Sequence, residues 1–267
     1  MKSDKVMDSV VRIKKIIFIV IINTLLCVNI LYANNLSSKI DKAKVVTLYG
    51  RKTTVNEMDT VTFGMYPQDS ASKISIKDID WIVLEKDVKN RKALLFSKYI
   101  LDCKQFNDIY GQVTWKDCTL RKWLNNDFYN YAFNDAEKDS IILSNIVTKN
   151  NGNEVTEDKV FLLDTVDIDK YFRQFDLSTD NPKLATKGTV YARSIHDGGL
   201  NLWVRTNDKW CQGNSYFYLR EMGVSTTNIA AVGSGGNIYG SVYHGSERIV
   251  NVNEKDGGVR PAIWVSY

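Results

Sequence analysis

Histidine, proline and closely paired cysteines are all scarce in this chain of 267 residues. Two histidines, His196 and His244, are too few for most histidine-rich metal sites. Three prolines exclude collagen-like and polyproline architectures. No Cys-x-x-Cys occurs, so zinc ribbons and thioredoxin-like redox motifs are excluded. Gly-x-Ser-x-Gly, Gly-Lys-Ser/Thr and His-Glu-x-x-His are also missing, and with them the nucleophile, phosphate and zinc chemistry they carry. Charge of one sign is lacking too. The formal net charge is +4, but residues 1–33 hold Lys2, Lys5, Arg12, Lys14 and Lys15 against Asp4 and Asp8. The remainder carries 30 basic and 29 acidic side chains. Such a body does not attract a polyanion, so nucleic acid is not an expected partner. Apolar residues make up 44%, enough to bury a core and exclude a disordered chain.

The N-terminus has the one long apolar run, Ile16 to Ala33, preceded by Arg12, Lys14 and Lys15. A basic segment, an apolar segment and a small residue at Ala33 read as a secretory signal over residues 1–33. The run is also long enough for a single span, so an uncleaved anchor is the rival reading. Asn23 and Asn29 weigh against the span, because amides are costly in lipid. The body is then expected outside the cytoplasm, secreted or at the cell surface, touching a membrane only through this segment. Residues 34–56 are polar and aperiodic and read as a flexible leader. Residues 57–267 read as a single domain.

Val61–Pro67, Ile79–Leu84 and Ala93–Ser97 have strand character, the last two as a hairpin. Leu120, Trp123, Leu124, Phe128, Tyr131 and Ala132 recur at three- and four-residue steps, which predicts a helix with one apolar face. Asn134 and Glu137 have capping-box spacing and open a second helix. Val160–Leu163 reads as a buried strand, and Thr165 opens a short helix through Phe172. Beyond residue 186 the chain turns to Gly, Ser, Thr, Asn and aromatics. Strands are expected there over Tyr216–Arg220, Asn228–Val232, Asn237–Tyr239 and Gly258–Val265. Gly233–Gly240 fails the dinucleotide fingerprint, since Ile238 stands at its third glycine, and reads as turn glycines. Strands, two main helices, then strands give an α+β class with mixed or antiparallel sheets.

The most specific motif is Thr114-Trp115-x-x-Cys118-x-Leu120-Arg121-x-Trp123-Leu124-Asn125. It stands among Val61–Gln68, Asp80–Leu84, Leu94–Tyr99, Asp127–Asn130, Val160–Leu163, Tyr218–Arg220 and Gly258–Trp264. In this order, over roughly residues 58–267, these segments resemble a family of exported bacterial proteins known as a domain of unknown function (DUF6273-like). The order of elements also resembles, more loosely, the C-type-lectin-like fold shared with formylglycine-generating enzymes. That resemblance implies an α+β body whose long irregular loops display a binding surface. The generating-enzyme activity needs two late cysteines as copper ligands, and only Cys211 lies in that half. The calcium motifs of sugar-binding lectins are missing as well. No metal and no cofactor is expected.

Asp164, Asp167 and Asp169 lack EF-hand spacing and read as a solvated helix start. His196-Asp197 and His244 have no marked nucleophile partner. Arg121, Arg220 and Arg260 read as buried ion pairs joining elements. Trp81, Trp115, Trp123 and Trp264 fall on strand or helix patterns and are expected in the core. Trp203, Trp210, Asn214, Tyr216, Tyr218, Tyr239 and Tyr243 lie among amides and glycines, a composition that suits sugar stacking or a protein interface. Cys103 and Cys118 close a loop of fifteen residues. A disulfide there would stabilise an exported protein by about 3 kcal/mol. The sum is an exported, non-enzymatic binding module for a glycan or a cell-surface protein. An extracytoplasmic hydrolase or oxidoreductase with an unrecognised site, and a structural envelope component, are the alternatives.

Overall fold

Residues 13–42 contain neither glycine nor proline, so nothing in that stretch interrupts a helix. The computed structural model describes residues 2–43, 59–71, 74–149, 153–172, 180–194, 201–205, 212–240 and 249–267. Its first element is α1 (Lys2–Lys42), which is long and apolar enough to cross a membrane by length and composition. The helix runs through Ala33 to Lys42, so the first nine residues of the expected leader are helical. Residues 44–56 lie outside the described residues. The chain divides into two compact units, one containing α1 and the other spanning Ala43–Ser266.

The second unit is α+β. Alternating apolar residues form β1 (Thr60–Pro67), β2 (Ile76–Asp87) and β3 (Lys92–Ser97), joined as an antiparallel meander. β4 (Asp102–Cys103) follows. The amphipathic segment folds as α2 (Thr119–Trp123), a π-helical turn Leu124–Phe128, and α3 (Tyr129–Ala132). α4 (Asp135–Ser140) begins at the expected capping box between Asn134 and Glu137. Glu137 also accepts from the backbone N–H of Gly64, a residue at φ +70° in β1. A hairpin that the sequence reading did not anticipate, β5 (Ser144–Thr148) and β6 (Glu154–Asp158), comes next. α5 (Thr165–Phe172) occupies its expected place. Val160–Leu163 is buried and meets both sheets: Phe161 bridges to Ala262, and the Leu163 carbonyl accepts from the Arg220 N–H of β9.

The remaining strands are β7 (Thr186–Lys187), β8 (Asn214–Ser215), β9 (Phe217–Met222), β10 (Ile229–Val232), β11 (Ile238–Tyr239), β12 (Gly258–Val259) and β13 (Ala262–Ser266). One four-stranded sheet runs β1-β2-β3-β13 and a five-stranded sheet runs β11-β10-β9-β12-β4. β12 lies parallel to β9, and the other pairs in both sheets are antiparallel. Gly233–Asn237 makes the turn between β10 and β11, as the glycines implied. Arg260, between β12 and β13, is fully buried and, among the described residues, has no carboxylate partner. Its guanidinium donates to the carbonyls of Ser97, Leu184 and Lys98 and lies 4.0 Å from the Phe96 ring centroid and 5.0 Å from that of Phe217. It therefore closes the two sheets with hydrogen bonds and ring contacts, and the ion-pair expectation holds only for Arg121 and Arg220.

Candidate functional site

Three hydrogen-bonding side chains of the Trp-Cys-Leu-Arg-Trp-Leu-Asn motif, Trp115, Arg121 and Asn125, converge on one carboxylate. Asp158 is fully buried at the end of β6. It accepts from Trp115 Nε1 (2.9 Å), Thr156 Oγ1 (2.6 Å), Arg121 Nε (2.6 Å) and Asn125 Nδ2 (3.2 Å). Asn125 also takes the N–H groups of Lys159 and Val160 on its carbonyl. Thr114 and the Lys116 N–H bind Glu154 at the start of the same strand. The motif thus bolts α2 and the π turn to the β5–β6 hairpin. Through Trp115, Arg121 and Asn125 it shapes the site from beneath.

Cys118 belongs to the same brace. Its sulfur accepts from the Arg121 N–H as the N-cap of α2 and approaches the Trp115 carbonyl at 3.3 Å. Cys103 is buried on β4, 3.5 Å from the Lys255 carbonyl. Both are free thiols, which corrects the expected disulfide. Cys118 is committed to a helix terminus and Cys103 to the 252–257 segment. Burial first, and nearby acidic groups second, push the Cys103 thiol up to about 12. Burial pushes Cys118 to about 12 as well, against the pull of Arg121. Cys211 lies outside the described residues.

The predicted loop site divides. Tyr216 and Tyr218 are core residues, 1% exposed, with rings edge to face at 6.1 Å. The Tyr216 hydroxyl donates to Asp256 and that of Tyr218 to the Glu254 carbonyl. Burial raises both phenols well above their ordinary range. Asn214 is buried and donates to the Ser234 carbonyl. Tyr239 is half-buried, its ring over Gly233 where a Cβ would collide with it. These four are corrections, and only Tyr218 lies on the inner strand β9; Asn214 is on β8, Tyr216 is between β8 and β9, and Tyr239 is on β11. Among the described residues of the predicted site, Trp203 alone is exposed, at 36%. Trp210, Tyr243, His196, Asp197 and His244 lie outside the described residues.

The acidic run at α5 is likewise no solvated helix start. Asp164 is 1% exposed and Arg220 is 4% exposed. The guanidinium reaches Asp164 Oδ2 at 2.6 Å and Asp167 Oδ2 at 2.5 Å. It also donates to the carbonyls of Leu162 and Val147. Burial raises the Asp164 carboxyl, opposed by Arg220. Asp164 and Asp167 exchange backbone-to-side-chain bonds at the start of α5. Glu221 accepts from the Thr165 hydroxyl at 2.6 Å. This cluster ties α5 to β9.

An open groove of about 340 Å³ lies elsewhere, beside α2. Loop Lys104–Asp108 forms one wall, and α2 with the π turn forms the other. The walls are laced together. The Leu120 N–H donates to the Phe106 carbonyl, Thr119 N–H to Asn107 Oδ1, and Asp108 N–H to Thr119 Oγ1. Gln105 Nε2 is held by the Asn253 carbonyl at 2.7 Å. Trp123 lines this groove and is half-buried, which corrects the core assignment. Leu120, Leu124, Phe128 and Ala132 are the buried stripe, at steps of four. The π turn widens the helix from Leu124 onward and leaves Trp123 beside the stripe rather than in it. Tyr131, also counted on the apolar face, is 45% exposed.

Phe128 packs against Trp123 at 5.5 Å, and the Lys104 ammonium sits 4.7 Å from its ring centroid. Lys122, Asn126, Asp108 and Asp127 complete the lining and are solvent-exposed. An indole among exposed amides, carboxylates and ammonium groups offers a flat apolar contact ringed by hydrogen-bonding partners. Among the described residues, no group of three or more His, Cys, Asp and Glu is placed to hold a metal ion. The sequence signal for the groove was weak. Trp123 lies inside the quoted motif, but only the π turn shows that it faces outward.

A family described as a domain of unknown function, DUF6273, matches the chain over residues 90–267. No curated protein matches, and no solved structure matches.

Proposed function

The chain belongs to the DUF6273 family, and from that premise we propose that its body is a non-enzymatic binding module for a glycan, received beside Trp123. The observation that carries this reading is the half-exposed indole among Lys104, Lys122, Asn126, Asp108 and Asp127. Sugar rings present an apolar C–H face and a rim of hydroxyls. An indole accepts the face, and exposed amides and carboxylates accept the rim. Lys104 and Phe128 fix the ring before the ligand arrives, which lowers the ordering cost of binding. The other side of the ledger also supports binding over catalysis. Asp158 and Asp164, which are buried, and Asp167, which is half-buried, are each paired with an arginine. The C-type-lectin-like kinship forms part of this proposal. It is supported by a late strand, β13, that pairs with β3 of the first sheet.

A glycan array probed with the detergent-solubilised full chain tests the reading, followed by titration of the best ligand against Trp123→Ala. Binding should fall at least tenfold in the variant while its melting temperature drops only a few degrees. An array without hits, or a variant that binds equally well, would overturn it.

A further inference from the structure

We propose that α1 is retained as a transmembrane anchor that holds the body outside the cytoplasm, rather than removed as a signal. The partner of this surface is a lipid bilayer. Large apolar side chains at consecutive positions, Ile16, Ile17, Phe18, Ile19 and Val20, are 52–65% exposed. Consecutive positions on a helix point in all directions, so the apolar surface runs around the whole circumference. A helix of that kind requires an apolar medium on every side. From Ile16 to Ala33 it spans about 27 Å at about 1.5 Å per residue, close to the roughly 30 Å hydrocarbon core. The Thr24 hydroxyl is folded back on the Val20 carbonyl at 2.7 Å, so it needs no water.

The same residues argue against removal. A signal cleavage site carries small side chains at its last and third-last positions. With Ala33 last, the third-last residue is Leu31. No two of Ala33, Ser37, Ser38 and Ala43 stand two apart, so no neighbouring position supplies the pair. The helix is also unbroken through Lys42, and a protease cleaves extended chain. The flanks set the direction. Arg12, Lys14 and Lys15 abut the entry to the span, whereas the exit begins Asn34-Asn35-Leu36-Ser37-Ser38, with its first basic residue at Lys39. The basic flank stays cytoplasmic.

The test expresses the full chain in a bacterial host, alongside Leu31→Ala. Wild type should keep its complete mass and resist alkaline extraction from membranes. Its body should be digested when protease is added to intact spheroplasts. Leu31→Ala, which restores small residues at both positions, should lose residues 1–33 and appear in the soluble fraction. An intact Leu31→Ala chain would still support the anchor and shift the cause to the unbroken helix. Wild type lacking residues 1–33, or a body shielded from external protease, overturns the proposal.

Discussion

Asp158→Asn is the sharpest probe of the brace beneath the groove. The substitution keeps shape and volume and removes one charge. Asp158 Oδ1 receives Arg121 Nε and Asn125 Nδ2, while Oδ2 receives Trp115 Nε1 and Thr156 Oγ1. An amide can offer its oxygen to only one of these pairs. Its NH2 then faces two donors, and at least one strong bond is lost on that side whichever way the amide turns. A buried donor left unpaired costs about 1–3 kcal/mol. Breaking a buried ion pair by removing one partner costs about 3–5 kcal/mol. Arg121 is 21% exposed and keeps the Lys116 and Glu157 carbonyls, so water and backbone recover part of that loss. About 3 kcal/mol is the expected net, which for a domain of this size lowers the melting temperature by roughly 6–12 °C. Urea denaturation followed by far-UV circular dichroism measures it. A loss below about 1 kcal/mol with an unchanged slope would show that the four bonds do not hold the hairpin, and the account of the motif would fall.

Arg260→Lys should cost about 2–4 kcal/mol, because an ammonium cannot span three carbonyls and two aromatic faces at once; a urea midpoint equal to wild type would refute this. Gly64→Ala should destabilise by about 2 kcal/mol or more, since the new Cβ would sit 2.6 Å from the Phe133 ring at φ +70°; calorimetry decides, and an unchanged melting temperature would mean that β1 can shift. In the native protein, Cys103 and Cys118 should resist alkylation at pH 8, where thiols of pKa about 12 are about one part in ten thousand thiolate, and should react after denaturation. Mass mapping reads the labelled positions, and rapid native labelling or a 103–118 crosslink would contradict the burial described.

Strands with clean apolar character were legible. β1, β2 and β3 follow from Val61, Phe63, Trp81, Val83, Leu94 and Phe96, all buried. The capping box at Asn134 and Glu137 was legible for the same reason, being local. β5 and β6 were not, because Ser144–Thr148 and Glu154–Asp158 are mostly polar and only Ile146, Thr148, Thr156 and Asp158 turn inward. The convergence on Asp158 could not be read either. Trp115, Arg121 and Asn125 meet it only once the hairpin folds back. Trp123 was misjudged because periodicity assumes 3.6 residues per turn, and the π turn violates that assumption. The tyrosines of the later half were misjudged through composition: glycine and asparagine neighbours suggested a surface, whereas strand order placed Tyr216 and Tyr218 inside.

The segment Gly258–Ser266 enters both sheets within nine residues, pairing Val259 with Asp102 and Trp264 with Leu94. This arrangement governs timing as well as stability. As the chain emerges from a ribosome, β3 has β2 beside it early but waits for β13, β4 waits for β12, and Arg260 cannot fill its slot until then. Such long-range pairing makes premature folding slow. Until that segment emerges, both sheets lack a strand, and its arrival becomes the event that locks the structure.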